Sequence, residues 1–184
     1  MSTGSDSKQD YQTPFDLTRK AIPARFGEIT FDLAAVYANK QHDRYYTDKI
    51  EEVTSKQAYG GDALAPGRDW SELTRLFGGF LWLNPPFKTI EPWARKCKEE
   101  GKRGANILFL VPAAVGANWF RDNVFGAADR YYLNGRLSFI PGETYMKDCM
   151  VCHFHSEMSN KAFVWTWREN VLHDGDWHAD RIET

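Results

Sequence analysis

Two uninterrupted apolar runs, Gly79–Leu83 (GFLWL) and Asn106–Val111 (NILFLV), constrain this chain more than anything else in it. A strand with one face in water alternates apolar and polar residues, whereas a continuous apolar run needs cover on both faces. Stretches of helical spacing lie between such runs, so the pattern predicts an α/β fold with helices over both faces of a sheet. Glu91–Glu100 predicts a helix with Trp93, Ala94 and Cys97 on one face, ended by Gly101 and Gly104. Thr13-Pro14 predicts a helix start, threonine as the cap and proline at the first helical position, with Phe15, Leu17, Ala21 and Ile22 along it and Pro23 at its end.

The remaining segments fill in the order. Ile29–Ala35 (ITFDLAA) reads as a buried strand around one acid, Asp32, and Asn39–Gln57 as irregular structure or short helices. Gly60–Leu64 is a turn entering a brief extended piece, closed by Ala65-Pro66-Gly67. Ala117–Ala128 reads as helix, Arg130–Leu133 as strand, Arg136–Ile140 as extended, and Ala162–Trp167 as a final strand. The expected sheet is parallel at its centre with an antiparallel edge. Residues 1–10 read as a flexible tail and 11–184 as a single domain, a size that suits 184 residues.

Composition excludes several classes. With 42% hydrophobic and 26% charged residues the chain is not disordered throughout. No apolar run approaches the roughly 18 residues that cross a bilayer, so no membrane association is expected. Met1–Asp10 carries no apolar core of a signal peptide, and three cysteines make no disulfide framework; a reducing cytoplasm is expected. The 23 Lys and Arg against 25 Asp and Glu, net −2, exclude a uniformly basic surface, so a polyanion must be held by a local patch. The 12 Phe, 8 Tyr and 7 Trp supply many flat stacking faces.

The most informative stretch is Asn84-Pro85-Pro86-Phe87, directly after the first apolar run. In parallel α/β sheets ligands gather at the carboxyl ends of strands. The prolines fix φ and lack an N–H, so the corner is stiff, with an amide side chain, the Pro85 carbonyl and an aromatic face on offer. Those groups suit the exocyclic amine of a planar base. Its lone pair is delocalised into the ring, and two acceptors on its hydrogens favour the pyramidal nitrogen that attacks a methyl group. Phe87 would stack on the base. The plain alternative is a tight turn after a strand.

At these residues the chain resembles the phage and prophage DNA N-6-adenine methyltransferases of the Dam type. Further landmarks stand in the family's order: Tyr11-Gln12-Thr13-Pro14; Phe31-Asp32-Leu33-Ala34-Ala35 with Asn39 following; Asp62-Ala63-Leu64 before Trp70; and Trp93 behind the Asn84–Phe87 tetrapeptide. Later come Leu110-Val111-Pro112-Ala113, Trp119-Phe120 and Gly135-Arg136-Leu137 with Phe139. The resemblance implies a Rossmann-like, S-adenosylmethionine-dependent enzyme that methylates N6 of adenine in DNA, the base flipped out of the duplex, in the cytoplasm of a bacterial host. It implies Asn84, Pro85, Pro86 and Phe87 as the catalytic set. Asp32, Ala34 and Ala35 would lie against the cofactor's amino-acid part, with Asn84 beside it, Thr13 and Pro14 closing over it, and Asp62 at the cofactor's adenine. The Gly-x-Gly loop common after the first strand is missing, with Ala34-Ala35 in its place, and Asp43 and Asp48 are the candidates for the ribose hydroxyls.

Each of these residues has a plain alternative. Asp32 could cap a neighbouring helix, and Asp62 could be a turn residue. Lys88, Arg95, Lys96, Lys98 and Arg136 are candidate phosphate contacts, against the alternative of a solvated helix face for the basic run and a strand entry for Arg136. Cytosine-N4 methylation asks for the same acceptors, and a DNA-binding protein that retains the fold without catalysis is a further reading. Target recognition is expected from the inserts at 39–57 and 141–161, with a short or relaxed site. Cys149-Met150-Val151-Cys152-His153, with His155, matches a haem-attachment pattern but lacks an export signal, and one short stretch is a poor zinc cage. No metal ligand is assigned, and a strand or loop with buried thiols is expected there.

Overall fold

The computed structural model describes residues 13–140, 142–157 and 159–174. The expected tail and the Tyr11-Gln12 part of the opening motif lie outside the described residues.

The continuous apolar runs become β2 (Phe80–Leu83) and β3 (Ile107–Pro112), and their burial on both faces is literal. Ile107, Phe109 and Val111 of β3 enter one core with Leu81 and Leu83 of β2. Leu108 and Leu110 enter a second core on the other face, with Trp82. The first core is roofed by α3 (Trp70–Phe77), through Trp70 and Leu73, and by α4 (Ile90–Lys102), through Ala94 and Cys97. The second is covered by Leu17, Ala21 and Ile22 from the amino-terminal helical segment.

With β1 (Ile29–Asp32), β4 (Asp129–Asn134), β5 (Cys149–Phe154), β6 (Ala162–Thr166) and β7 (Val171–His173), the strands form one sheet in the order β1-β2-β3-β5-β4-β6-β7. β1, β2 and β3 are parallel, as are β4 and β6; β5 runs antiparallel to β3 and β4, and β7 to β6. The expected antiparallel edge is therefore β7. A second reversal, β5, lies inside the sheet. This corrects the reading of 141–161 as a loop insert, because its middle is a central strand, all but His153 of it buried.

Other boundaries move for local reasons. β1 ends at Asp32, not Ala35, because the Asp32 carboxylate accepts from the amides of Ala34 (3.2 Å) and Gln41 (2.8 Å) and bends the chain. Pro23 does not end the first helix. A wider π-helical turn, Leu17–Ala21, runs into α1 (Ile22–Arg25), and such a turn accommodates a ring that would clash inside a regular helix. Gly101 lies inside α4, pressed on β5 where an added Cβ would stand 3.0 Å from that of Phe154; the helix ends before Gly104, at φ +103°. The helix expected over 117–128 is the shorter α5 (Asn118–Asn123), and 136–140, expected as extended, lies outside the strands, with Ile140 in an isolated antiparallel bridge to Glu143. Short α2 (Ile50–Thr54) lies in the irregular stretch after β1. Among the described residues no helix is long and apolar enough to cross a membrane.

Candidate active site

A cavity of about 700 Å³ opens where β1 and β2 end, a size within the range of pockets that take whole small molecules. Its walls include the bend at 32–36, the corner at 84–88, Thr13, and the loop residues Asp62 and Ala63. The cofactor and catalytic residues named from the sequence thus converge, except Pro14, whose carbonyl starts the first helix by accepting from Leu17 and Thr18.

At the corner, Thr13 acts otherwise than as a helix cap. Its hydroxyl oxygen lies 3.0 Å from Asn84 Nδ2, which donates to it. With its nitrogen so occupied, the Asn84 amide keeps Oδ1 as an acceptor that no donor reaches among the described residues. Among the described residues no N–H reaches the Pro85 carbonyl either; the hydrogen bond that opens the following 3₁₀ turn (Phe87–Thr89) runs from Thr89 N–H to Pro86. Phe87 is half-buried, its ring centroid 5.9 Å from those of Phe139 and Tyr145.

Asp32 forms the opposite wall. It is 2% exposed, and burial pushes its carboxyl up to about 6, against the lowering effect of the Gln41 and Ala34 amides and the more distant Arg19. The bend that it organises consumes its own donors. Leu33 N–H donates to the Trp82 carbonyl, Ala34 N–H to Asp32, Ala35 N–H to the Tyr46 carbonyl and Val36 N–H to Asn39 Oδ1. Ala34 and Ala35 therefore offer a bound molecule close approach and shape, not free amides. Asp62 is exposed on the cavity rim, its Oδ1 accepting from Leu64 N–H at 2.8 Å in a local turn.

The basic residues separate into two groups. Exposed Lys88 lines the cavity, together with Lys49 and Lys147, which no motif had marked. Arg95, Lys96, Lys98 and Arg136 do not line it. Lys96 is held at 2.8 Å by buried Glu100 and at 2.6 Å by the Arg68 carbonyl, a structural tie that removes it as a phosphate contact. Arg95 pairs with Glu91, Lys98 donates to the Asp122 carbonyl, and Arg136 pairs with Asp148. Asp48 lines the cavity and Asp43 does not. Tyr46, Gln41 and Tyr145 also line it; Tyr145 and Lys147 come from the 141–161 stretch, which the sequence marks only as an insert.

The fold is mixed α/β, with a cavity at the carboxyl ends of parallel strands, where ligands gather in such sheets. The sequence model of the family described as DNA N-6-adenine-methyltransferase (Dam) matches residues 1–151, and the chain belongs to that family. It is 25% identical over 138 residues to the DNA N-6-adenine-methyltransferase of Escherichia phage T1, across 67% of this chain and 50% of the phage protein. The chain thus spans half the length of that curated relative.

Proposed function

We propose that this chain, folded as a Rossmann-like methyltransferase, methylates N6 of adenine in DNA with S-adenosylmethionine as donor, the target base turned out of the duplex into the cavity. The observation that carries the reading is the pair of acceptors on one rigid corner. Among the described residues, Asn84 Oδ1 and the Pro85 carbonyl stand without a donor beside the Phe87 ring.

Two acceptors on the hydrogens of an aromatic amine draw its nitrogen toward a pyramidal form, with the lone pair localised for attack. Thr13 keeps the Asn84 amide oriented for that task. Phe87, backed by Phe139 and Tyr145, gives the base a face to stack on, which offsets part of the cost of leaving the duplex. No strong base is needed at the corner, because the amine becomes acidic as it acquires the methyl group.

The residues present fit the donor. Asp32 is a buried carboxylate on the cavity wall with no ion-pair partner among the described residues, suited to the ammonium of an amino-acid group. Asp62 on the rim is suited to the amine of the donor's adenine, and Ala34 and Ala35 leave room beside Asp32. S-adenosylmethionine supplies an activated methyl group on a cationic sulfur. Exposed Lys49, Lys88 and Lys147 around the cavity are placed to meet DNA phosphates. Family membership favours adenine over cytosine.

The test is to incubate purified protein with unmethylated DNA and methyl-labelled donor, digest to nucleosides and identify the product. N6-methyldeoxyadenosine is expected. Asn84→Ala should lower its formation on the order of 100-fold or more while donor binding, followed by calorimetry, persists. Labelled N4-methyldeoxycytidine alone would overturn the choice of base, and bound donor without any methylated product would overturn catalysis.

A further inference from the structure

The opposite margin of the sheet carries a second constellation that methyl transfer does not use. Asp129 opens β4 and sits directly across from His153 on β5, and His155 follows two residues on, so that all three project toward one spot. One ring nitrogen from each histidine and one Asp129 oxygen lie within 4.8 Å of one another. We propose that Asp129, His153 and His155 bind a divalent transition-metal ion of the zinc class, which clamps the end of β5 to the start of β4.

The contacts around the cluster orient each ligand. Asp129 Oδ1 accepts from Lys161 N–H at 2.8 Å, which turns Oδ2 toward His155. Asn106 donates through Nδ2 to the Gly79 carbonyl at 3.0 Å, so its Oδ1 faces His153 Nε2 at 2.7 Å and can only accept from it. In the neutral ring that tautomer leaves the lone pair on Nδ1, the arrangement by which an outer hydrogen bond prepares a histidine for metal. His155 Nε2 is buried without a hydrogen bond among the described residues. It stands 3.5 Å from Asp129 Oδ2, too long for a good hydrogen bond. Two ligands each about 2.1 Å from a tetrahedral ion are about 3.4 Å apart, so the spacing suits a shared ion.

The thiols do not join. Cys152 is next to His153 on the strand and faces the other core, and Cys149, four residues before His153, lies about 13 Å away along the strand. Imidazole and carboxylate ligands without thiolate suit zinc, cobalt or nickel, with an open position for water.

Chelator-stripped full-length protein titrated with zinc chloride and cobalt chloride tests this. About one ion per chain should bind by calorimetry, and saturating zinc should raise the thermal midpoint. His155→Ala and Asp129→Asn should each remove both effects, with the metal-free midpoint of each variant serving as the folding control. Asn106→Ala, which leaves all three ligands in place, should weaken binding by about 10–100-fold. The cobalt complex should show visible ligand-field bands without a thiolate charge-transfer band. Failure of wild type to bind, binding unchanged in the foldable variants, or a thiolate band would each overturn the proposal. A simple His155–Asp129 ion pair would give the first of these outcomes.

Discussion

The two most deeply buried acids among the described residues, Glu100 and Asp32, are treated in opposite ways. Glu100, 1% exposed, accepts from the Trp70 and Ser71 amides at 2.9 and 3.2 Å and from the Lys96 and Arg103 cations at 2.8 and 3.1 Å. Both its oxygens are answered, two donors belong to the first turn of α3 and two carry charge, so the carboxylate pins α4 to the start of α3. Asp32, 2% exposed, has two backbone amides and no ion-pair partner among the described residues, and desolvation outweighs what it receives. A fully compensated buried acid is part of the frame. An under-compensated one on a cavity wall is a place for a cation from outside.

The contrast can be broken most forcefully at Glu100. Glu100→Ala leaves Lys96 beside a buried gap and uncaps two amides, and should cost about 3–5 kcal/mol in urea unfolding. The affinity of the remaining folded protein for S-adenosylmethionine should stay near wild type. A loss below about 1 kcal/mol would show that the network is no more than a surface ion pair. Asp32→Asn should do the reverse. Calorimetry should find donor affinity lowered on the order of 100-fold, about 2.7 kcal/mol, while the unfolding free energy changes far less than in Glu100→Ala. Equal losses of stability in the two variants would erase the distinction.

The smallest expected effect is the pH dependence of wild type. Asp32 binds its proton more tightly folded, at about 6, than at the ordinary 3.8. Its contribution to stability is therefore fully present below about 3.8 and lost as pH rises through 6. In the proposed role the donor's ammonium meets the Asp32 anion, so the dependence runs the other way: affinity should be flat above pH 7 and fall by up to about tenfold per unit below 6. Calorimetry between pH 5 and pH 8, read against about that tenfold slope, checks this. A flat profile would mean that Asp32 does not meet the donor's charge.

What the sequence made legible was local. β2 and β3 announce themselves because burial on both faces is written in consecutive residues, and the Asn84–Phe87 corner because prolines fix their own geometry. Pairing across the sheet is not written that way. β5 joins β3 to β4 through partners more than 15 residues away, on register that no local pattern encodes, so its place inside the sheet was hidden. The same holds for Asp129, which meets His153 only across a strand pair, and for Tyr145 and Lys147, carried to the cavity by the loop before β5. Lys96 does carry a local signal, since Glu100 stands four residues on and an i,i+4 pair competes with any phosphate. The Asn84–Thr13 contact spans 71 residues and carries no local signal at all.

The most direct measurement is the titration of the Asp32 carboxyl carbon by NMR, in the free protein and with saturating S-adenosylmethionine. The midpoint should lie at about 6 without the donor and move down toward 3.8 with it. An ordinary midpoint in the free protein, or one that the donor leaves unchanged, would contradict the account of this acid as the cavity's cation site.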